Sequence, residues 1–351
     1  MTRFVATVAG VLGLTAAAGA SSYADASPTA VFVLAGAALG GLAWLIGVAT
    51  ESVGARFGPA VTGVLQSTLG NLPELFIVLF SLSAGEVVVA QTSILGSLFA
   101  NALLVLGLAI VAGAGVAEGG VMRFQKRLPN DTATLLLLAF SAIALLGLSD
   151  RLGDRASHHQ VAISVVGAVC LLTVYAAWLW SYLGSERGVE PALEGGGHGG
   201  LPFGWGLAVL GVAGVAAAFV SDWFVDALDP AVRSLGISKA FTGIVIVGIA
   251  GNAVENVVGI TLAAKGRSDL AVSVVKNSVG QIACFLFPAL VLLSLFFSDR
   301  LTFVLNPVYV AALAVTAIAV WQITGDGEAY AYEGLALVAA YAVLATVTFY
   351  E

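Results

Sequence analysis

Two glutamates lie inside long apolar stretches of this chain, each at the end of the pattern Gly-Asn-x-x-Glu. The pattern occupies residues 70–74 and recurs at residues 251–255. A charged side chain at the centre of a bilayer costs roughly 2.5–3.5 kcal/mol even on lenient insertion scales, so such residues are usually functional. Glu74 and Glu255 are therefore the first candidates for chemistry.

The spacing after each glutamate is also the same in both places. Ser97 follows Glu74 by 23 residues, and Ser278 follows Glu255 by the same distance. We infer an internal repeat. An odd number of predicted crossings separates the two copies, which predicts an inverted repeat of the kind found in secondary transporters.

The residues before each glutamate predict a break in the helix. Gly70 and Gly251, each followed by asparagine, disfavour a continuous helix, and Pro73 strengthens the break in the first copy. A broken helix frees backbone carbonyls, which are tolerated at membrane depth only where they line a polar cavity. Asn71 and Asn252 precede their glutamates by three residues and are expected on the same helix face.

The side chains expected around this cavity carry hard oxygen atoms. Ca²⁺ takes 6–8 such ligands, whereas softer metals favour cysteine or histidine. Cys170 and Cys284 lie in apolar runs and are predicted to be small buried residues. We predict Glu74 and Glu255 as the metal ligands. The predicted cation and proton site also includes Asn71, Asn252, Ser97, Ser278, Asn101 and Gln281.

The charge of such a pocket predicts exchange. One divalent cation neutralises two ionised carboxylates, and two protons do the same. An empty pocket with two like charges in a low dielectric is unfavourable. The chain should therefore carry either the cation or the protons across the membrane, with both as substrates and no resident cofactor.

The composition predicts an all-α integral membrane protein. Hydrophobic types make up 59% of the 351 residues and charged types 10%, against about 25% charged in soluble domains. Apolar runs of about 20 residues span a bilayer as helices. We predict one leading helix at 4–20, then ten core helices as two inverted five-helix repeats. The core spans are predicted at 29–50, 59–84, 87–116, 132–148, 160–183, 203–221, 237–264, 269–297, 301–323 and 330–349.

The predicted organisation has four parts: a leading helix at 1–28, a first repeat at 29–183, an acidic flexible linker at 184–201 and a second repeat at 202–351. The leading segment also resembles a cleavable signal peptide, and both interpretations stay open. A weak excess of Lys and Arg in the loops on the N-terminal side predicts a cytoplasmic N-terminus in the cell membrane. A net charge of −7 argues against nucleic-acid binding.

The motifs and their flanks resemble the calcium/proton exchanger family, within the calcium/cation antiporter superfamily. The resemblance runs from about residue 47 to residue 293. The matching stretches are ATE at 49–51, GNLPEL at 70–75, SILGS at 93–97 with Asn101, VDAL at 225–228, LGIS at 235–238, GNAVE at 251–255, and Ser278 to Gln281.

The resemblance implies alternating access, with a pair of gate helices that slide over a rigid core. It implies that Glu74 and Glu255 carry Ca²⁺ and protons. It also implies that Glu51 and Asp222, on the first and sixth core helices, line the access paths.

Three residues depart from the pattern of that family. Asn256 stands where histidine is common, and Asn277 stands where glycine usually precedes the serine. Lys276 stands where an apolar residue is usual, and we expect it either to reach towards the interface or to pair with a carboxylate as a modulator. If it pairs with Glu255, divalent binding weakens, which keeps a monovalent (Na⁺ or K⁺)/H⁺ antiporter as an alternative.

Other function classes have less support. The histidines lie only in polar breaks, so a membrane-embedded hydrolase lacks its base, and we predict that the chain is not an enzyme. A phosphate-binding Gly-x-x-x-x-Gly-Lys-Ser/Thr motif is missing from the sequence, which argues against an ATP-driven pump. A cation channel remains a further alternative.

Overall fold

The computed structural model describes residues 2–24, 26–54, 65, 69–125, 127–185 and 202–351. Almost all of this part is helical. The predicted acidic linker lies outside the described residues except for its first two positions. The predicted leading helix corresponds to α1, Thr2–Tyr23.

The described helices of the first half follow four of the predicted apolar runs, with ends displaced by a few residues. The helices are α2 Pro28–Gly54, α3 Leu72–Ser83, α4 Val87–Phe99, α5 Leu106–Val116, α6 Arg127–Leu152 and α7 Gln160–Ser185. The start of the span predicted at 59–84 lies mostly outside the described residues, and its described part contains α3. A π-helical segment, Ala100–Val105, joins α4 to α5 into one span. A short strand, β1 Val121–Arg123, follows α5.

The second half contains more described helices, because its broken span is described throughout. Its helices are α8 Phe203–Leu235, α9 Lys239–Phe241, α10 Gly248–Gly251, α11 Ala253–Ala264, α12 Ser268–Gln281, α13 Phe287–Leu293, α14 Pro307–Thr324 and α15 Ala331–Phe349. The π-helical segments Thr242–Val247 and Ile282–Leu286 complete two of these spans. Strand β2, Glu328–Tyr330, separates α14 from α15.

The lengths and compositions of the helices fit a membrane protein. Within the described residues, eight helices are long and apolar enough to cross a bilayer. A bent pair, Lys239–Gly251 with Glu255–Ala264, makes a ninth if it counts as one span. Helix α3 is apolar but shorter, at 12 residues. The chain therefore belongs to the class of helical integral membrane proteins.

Helix α8 extends well beyond the predicted end of its span at residue 221. It runs for 33 residues with Pro230 inside it, and ends at Gly236, which has a left-handed φ of 66°. The prediction stopped where acidic residues begin, because they end the apolar run. These acidic residues do not end the helix, because a helix can continue with aspartates in its polar turns.

The span predicted at 237–264 is broken at the second motif, as its glycine and asparagine indicated. Asn252 has φ −94° and ψ 26°, outside helical values. The two half-helices on either side of the break are bent by 60°. Asn71 of the first motif has a similar conformation, φ −86° and ψ 12°, directly before α3.

A two-stranded antiparallel ribbon, which the sequence did not predict, joins two loops at one end of the helices. Val121 pairs with Tyr330 and Arg123 with Glu328, and the side chains of the second pair form a 3.1 Å ion pair. The ribbon fixes the loop after α5 against the loop between α14 and α15. Those two loops therefore lie on the same side of the membrane.

The buried apolar side chains form two separate clusters. One, which we call the small bundle, is built from α1, α2 and α8 and packs on one face of α3. The other, the main bundle, contains side chains from α3 to α7, from α9 and from α11 to α15, and α10 packs against it through the contact of Gly248 with Gly96. The molecule therefore has two packed units that meet at α3 and at the second motif.

Close backbone contact holds the centre of the main bundle together. A Cβ atom on Gly96 of α4 would lie 2.7 Å from the Cα of Ile244, and one on Gly248 would lie 2.5 Å from the carbonyl carbon of Gly96. Only glycine allows this approach. In lipid, where helices gain little from excluding water, such small-residue contacts are a main source of association.

The two cysteines differ in environment. Cys284 is buried and its thiol contacts the backbone oxygen of Leu135 at 3.3 Å, as expected for a small core residue. Cys170 is exposed on α7, so the prediction that it is buried was wrong. An apolar run alone does not distinguish the packed face of a membrane helix from its outer face.

Candidate functional site

Glu74 lies at the centre of the molecule with no exposed surface. It belongs to the first turn of α3, directly after the break at Asn71. Its Oε1 accepts a hydrogen bond from Ser97 Oγ on α4 at 3.3 Å. Its Oε2 is buried and has no hydrogen-bond partner among the described residues. An unsatisfied carboxylate oxygen at this depth is available to a cation or a proton.

Each motif glycine lies against the glutamate of the other motif. A Cβ atom on Gly251 would lie 2.6 Å from the Cδ of Glu74, and one on Gly70 would lie 3.1 Å from Oε1 of Glu255. Glu255 is also buried, at 3% exposure. Each acid thus lies beside the glycine that begins the motif of the other acid. The structure therefore brings both acids into one pocket.

Asn101 connects the first half to the second. It lies on the π-helical segment after α4, and its amide nitrogen donates to Asn252 Oδ1 at 2.6 Å and to Ser278 Oγ at 3.0 Å. Its own carbonyl oxygen is buried and has no partner among the described residues. Asn101 thus adds a second free oxygen beside the carboxylates. π-helical segments within α-helices often occur at functional sites.

The asparagines of the second motif brace the broken helix. Asn252 Nδ2 donates to the carbonyl of Gly248 at 2.8 Å, and Asn256 Nδ2 donates to the carbonyl of Ile249 at 3.0 Å. Both carbonyls lie just before the break. Neither Asn71 nor Asn252 caps the following helix through its side chain. Asn256, which replaces a histidine common in the similar family, therefore has a structural contact.

The other predicted site residues differ in burial. Asn71, within the first motif, and Gln281, at the end of α12, are buried, at 3% and 2% exposure. Asp222 is half-buried on α8, in the small bundle. The side chain of Glu51 falls outside the described part of the structure.

Lys276 makes neither of the two contacts expected for it. It is wholly buried, so it does not reach the interface. Its Nζ donates to Thr324 Oγ1 on α14 at 2.8 Å, and no carboxylate of the described residues lies within the 4.0 Å ion-pair distance of it. Lys276 is two residues from Ser278 in the sequence, but its ammonium group does not form an ion pair with Glu255.

One ionic cluster was missed by the sequence analysis. Lys239, at the start of α9, lies 2.7 Å from Glu86 Oε2 and 2.7 Å from Asp229 Oδ1. Glu86 precedes α4 and Asp229 lies in the last turns of α8. Glu86 and Lys239 lie at predicted span ends and Asp229 lies in a predicted loop, where charges are common, so no sequence signal distinguished them from other loop charges.

The chemistry of the pocket is that of a hard-cation site without a preformed cluster of acids. The described residues contain no group of three or more His, Cys, Asp or Glu side chains that could hold a metal ion. Two carboxylates must therefore be supplemented by amide, hydroxyl and backbone oxygens. Such a set suits a divalent ion that keeps or exchanges part of its hydration.

The sodium/calcium exchanger protein family matches residues 27–183 and 205–350, which include both motifs and leave out most of the linker. The chain belongs to this family. The resemblance inferred from the paired motifs is thereby confirmed, and the family's matched regions stop and resume close to the predicted division between the halves.

Individual relatives agree with the family. The Ca²⁺/H⁺ antiporter of Synechocystis is 32% identical over 342 residues, covering 92% of this chain and 91% of the relative. The vacuolar calcium ion transporter of Schizosaccharomyces pombe is 30% identical, covering 91% and 79%. A crystal structure of the Ca²⁺/H⁺ antiporter protein YfkE is similar with a TM-score of 0.82 at 26% identity, covering 98% of this chain and 99% of that one.

Proposed function

We propose that the chain is a secondary active antiporter that exchanges Ca²⁺ for H⁺. The observation that carries this proposal is the crossed arrangement of the motifs, with each glycine against the glutamate of the other. Two buried acids in one pocket accept one divalent cation or two protons. Relatives of near-full-length coverage are themselves named Ca²⁺/H⁺ antiporters.

We further propose ten core helices in two inverted repeats, over residues 29–183 and 202–351. The eight apolar spans and the bent pair account for nine, and the span predicted from sequence at 59–84, which contains α3, would supply the tenth. The repeated π-helical segments after Ser97 and Ser278 support the repeat. We also propose that the N-terminus and the linker at 184–201 face the cytoplasm of a cell-membrane protein.

In the proposed cycle, Glu74 and Glu255 bind Ca²⁺ from one side, and a change of access exposes them to the other. Protons displace the ion there and neutralise the acids for the return step. Crossing with an empty pocket is disfavoured, because two unpaired charges would remain in a low dielectric. In this scheme Glu51 and Asp222 line the access paths.

Reconstituted vesicles test this proposal directly. Purified protein in proteoliposomes with an imposed pH gradient should take up Ca²⁺ while a pH-sensitive dye trapped inside reports proton movement in the opposite direction. Ca²⁺, Na⁺, K⁺ and Mg²⁺ are compared, with protein-free vesicles as control. Proton movement must depend on the added cation, because both ligands compete for the same two carboxylates.

The assay also separates the alternatives. Proton movement driven by Na⁺ or K⁺ but not by Ca²⁺ would establish a monovalent exchanger. Cation flux that continues without any coupled proton movement would establish a channel. Either result rejects Ca²⁺/H⁺ exchange as the function.

A further inference from the structure

A lysine is enclosed within the main bundle. Lys276 of α12 has no exposed surface and is among the largest fully buried side chains. Its ammonium group has three N–H donors. Among the described residues, it donates one hydrogen bond, to Thr324 Oγ1. Thr324 in turn donates to the carbonyl of Val320 at 2.6 Å. A buried cation with so few partners has a high cost, which favours a functional reason for it.

Burial disfavours the charged form of the amine, and the end of α14 offsets part of that cost. Thr324 is the last residue of α14. The carbonyls of a final helical turn lack intrahelical partners, and the helix dipole places partial negative charge there. A positive side chain at this point is therefore stabilised without any carboxylate in contact.

The position of Lys276 relates it to the pocket without placing it inside. Lys276 precedes Ser278 by two residues, and Ser278 accepts from Asn101 beside the acids. Two residues correspond to about 200° around a helix, so the lysine projects from the opposite face. In the first half, the residue at the same offset before Ser97 is Leu95, which is buried and neutral. The second half therefore has a charged residue at a position where the first half has an apolar one.

We propose that Lys276 is a specificity-determining charge that lowers the affinity of the pocket for Ca²⁺. This rests on the proposed function. A helix is about 10–12 Å across, so the ammonium lies on the order of 10–15 Å from the acids. At an effective dielectric of 20, repulsion of a divalent ion over that distance corresponds to roughly fortyfold to three-hundredfold in affinity. The charge favours release and limits trapping of Ca²⁺ between the carboxylates.

Three variants separate charge from structure. Lys276→Gln keeps a donor for Thr324 and removes the charge, whereas Lys276→Arg keeps the charge. Calorimetric titration of the purified protein with CaCl₂ should show at least about tenfold tighter binding for the glutamine variant and wild-type affinity for the arginine variant. Thr324→Asp, which supplies a carboxylate to pair with the lysine, should tighten binding as the glutamine variant does.

The outcomes are distinct. Wild-type affinity in both Lys276→Gln and Thr324→Asp overturns the proposal and leaves Lys276 a structural residue. If Lys276→Gln does not fold, Thr324→Asp decides alone. Failure of the wild-type protein to bind Ca²⁺ at all would instead reject the proposed function, and the titration distinguishes the two results.

Discussion

At the scale of single residues, the pocket depends on acids that have few competing partners. Glu74 has one hydrogen bond from Ser97 and one free oxygen. Asn101 has a free oxygen as well. A carboxylate whose oxygens all accept hydrogen bonds from the protein would bind neither a cation nor a proton readily. An oxygen without a hydrogen bond therefore suits a carboxylate that must exchange a cation for a proton in every cycle.

Replacing either acid by its amide should remove exchange while the fold persists. Glu74→Gln and Glu255→Gln each leave a single carboxylate, which neither neutralises a divalent ion nor releases two protons. Even supporting residues of metal sites cost 10–100-fold, so Ca²⁺ uptake should fall below about a hundredth of the wild-type rate. Vesicle uptake of ⁴⁵Ca²⁺ measures this.

Glu118→Gln is the matched control, because Glu118 is exposed in the loop after α5. It should transport as the wild type does. Gel filtration shows whether the variants stay folded. Normal uptake by a folded Glu74→Gln protein would remove Glu74 from the mechanism.

At the scale of elements, the end of α8 is fastened to the main bundle by charge. Lys239 contacts Asp229 of α8 and Glu86 before α4, and all three are partly shielded from solvent. Gly236, which ends α8 in a left-handed conformation, lies between Asp229 and Lys239 in the sequence. If α8 moves during transport, these contacts must open or travel with it.

Lys239→Met should therefore loosen the end of α8. A partly shielded cluster of this size is worth about 1 kcal/mol, so amide hydrogen exchange in peptides covering residues 229–241 should be about fivefold faster. Hydrogen-exchange mass spectrometry in detergent or nanodiscs measures this.

Arg233→Met is the control for this cluster. Arg233 also pairs with Asp229, but at 3.5 Å and with its side chain 81% exposed. Exposed pairs contribute little, so exchange should be unchanged. Equal exchange rates in Lys239→Met and the wild type would show that the cluster does not hold α8.

The sequence predicted the elements that carry apolar runs and the two acids, because burial of charge in such runs is unusual and its repetition is rarer still. It could not predict the contact of Lys276 with Thr324, since the two are distant in sequence and neither forms a motif. The full length of α8 was also missed, because hydropathy detects only the apolar part of a helix and not the polar turns that continue it. The π-helical segments leave no recognised sequence signature.

At the scale of the whole molecule, the two apolar clusters suggest two bodies. The small bundle of α1, α2 and α8 meets the main bundle at α3 and beside the second motif. The acids belong to the interface side of the main bundle. Movement of the small bundle across them would change which side of the membrane they face.

Linking the two bundles should stop transport. A Cβ atom on Gly40 of α2 would lie 4.0 Å from the Cβ of Ala250 on α10, within the range that a disulfide spans. Gly40→Cys with Ala250→Cys, in a background with Cys170 and Cys284 changed to serine, should abolish Ca²⁺ uptake when oxidised. Reduction with dithiothreitol should restore it.

A link inside the small bundle provides the comparison. A Cβ atom on Gly206 of α8 would lie 3.6 Å from the Cβ of Ser52 on α2. If α2 and α8 move together, oxidised Gly206→Cys with Ser52→Cys should transport normally. Inhibition by both links, or by neither, would contradict movement of the small bundle as one body.

The reciprocal contact of glycine with glutamate has a consequence for how such a protein can arise. Either half alone would have an acid without the small residue that makes space for it, and would carry a single charge. A complete two-acid pocket exists only when two such segments meet head to tail. An ancestral half-length chain would therefore need to dimerise with an oppositely oriented copy of itself before it could exchange a divalent cation for protons.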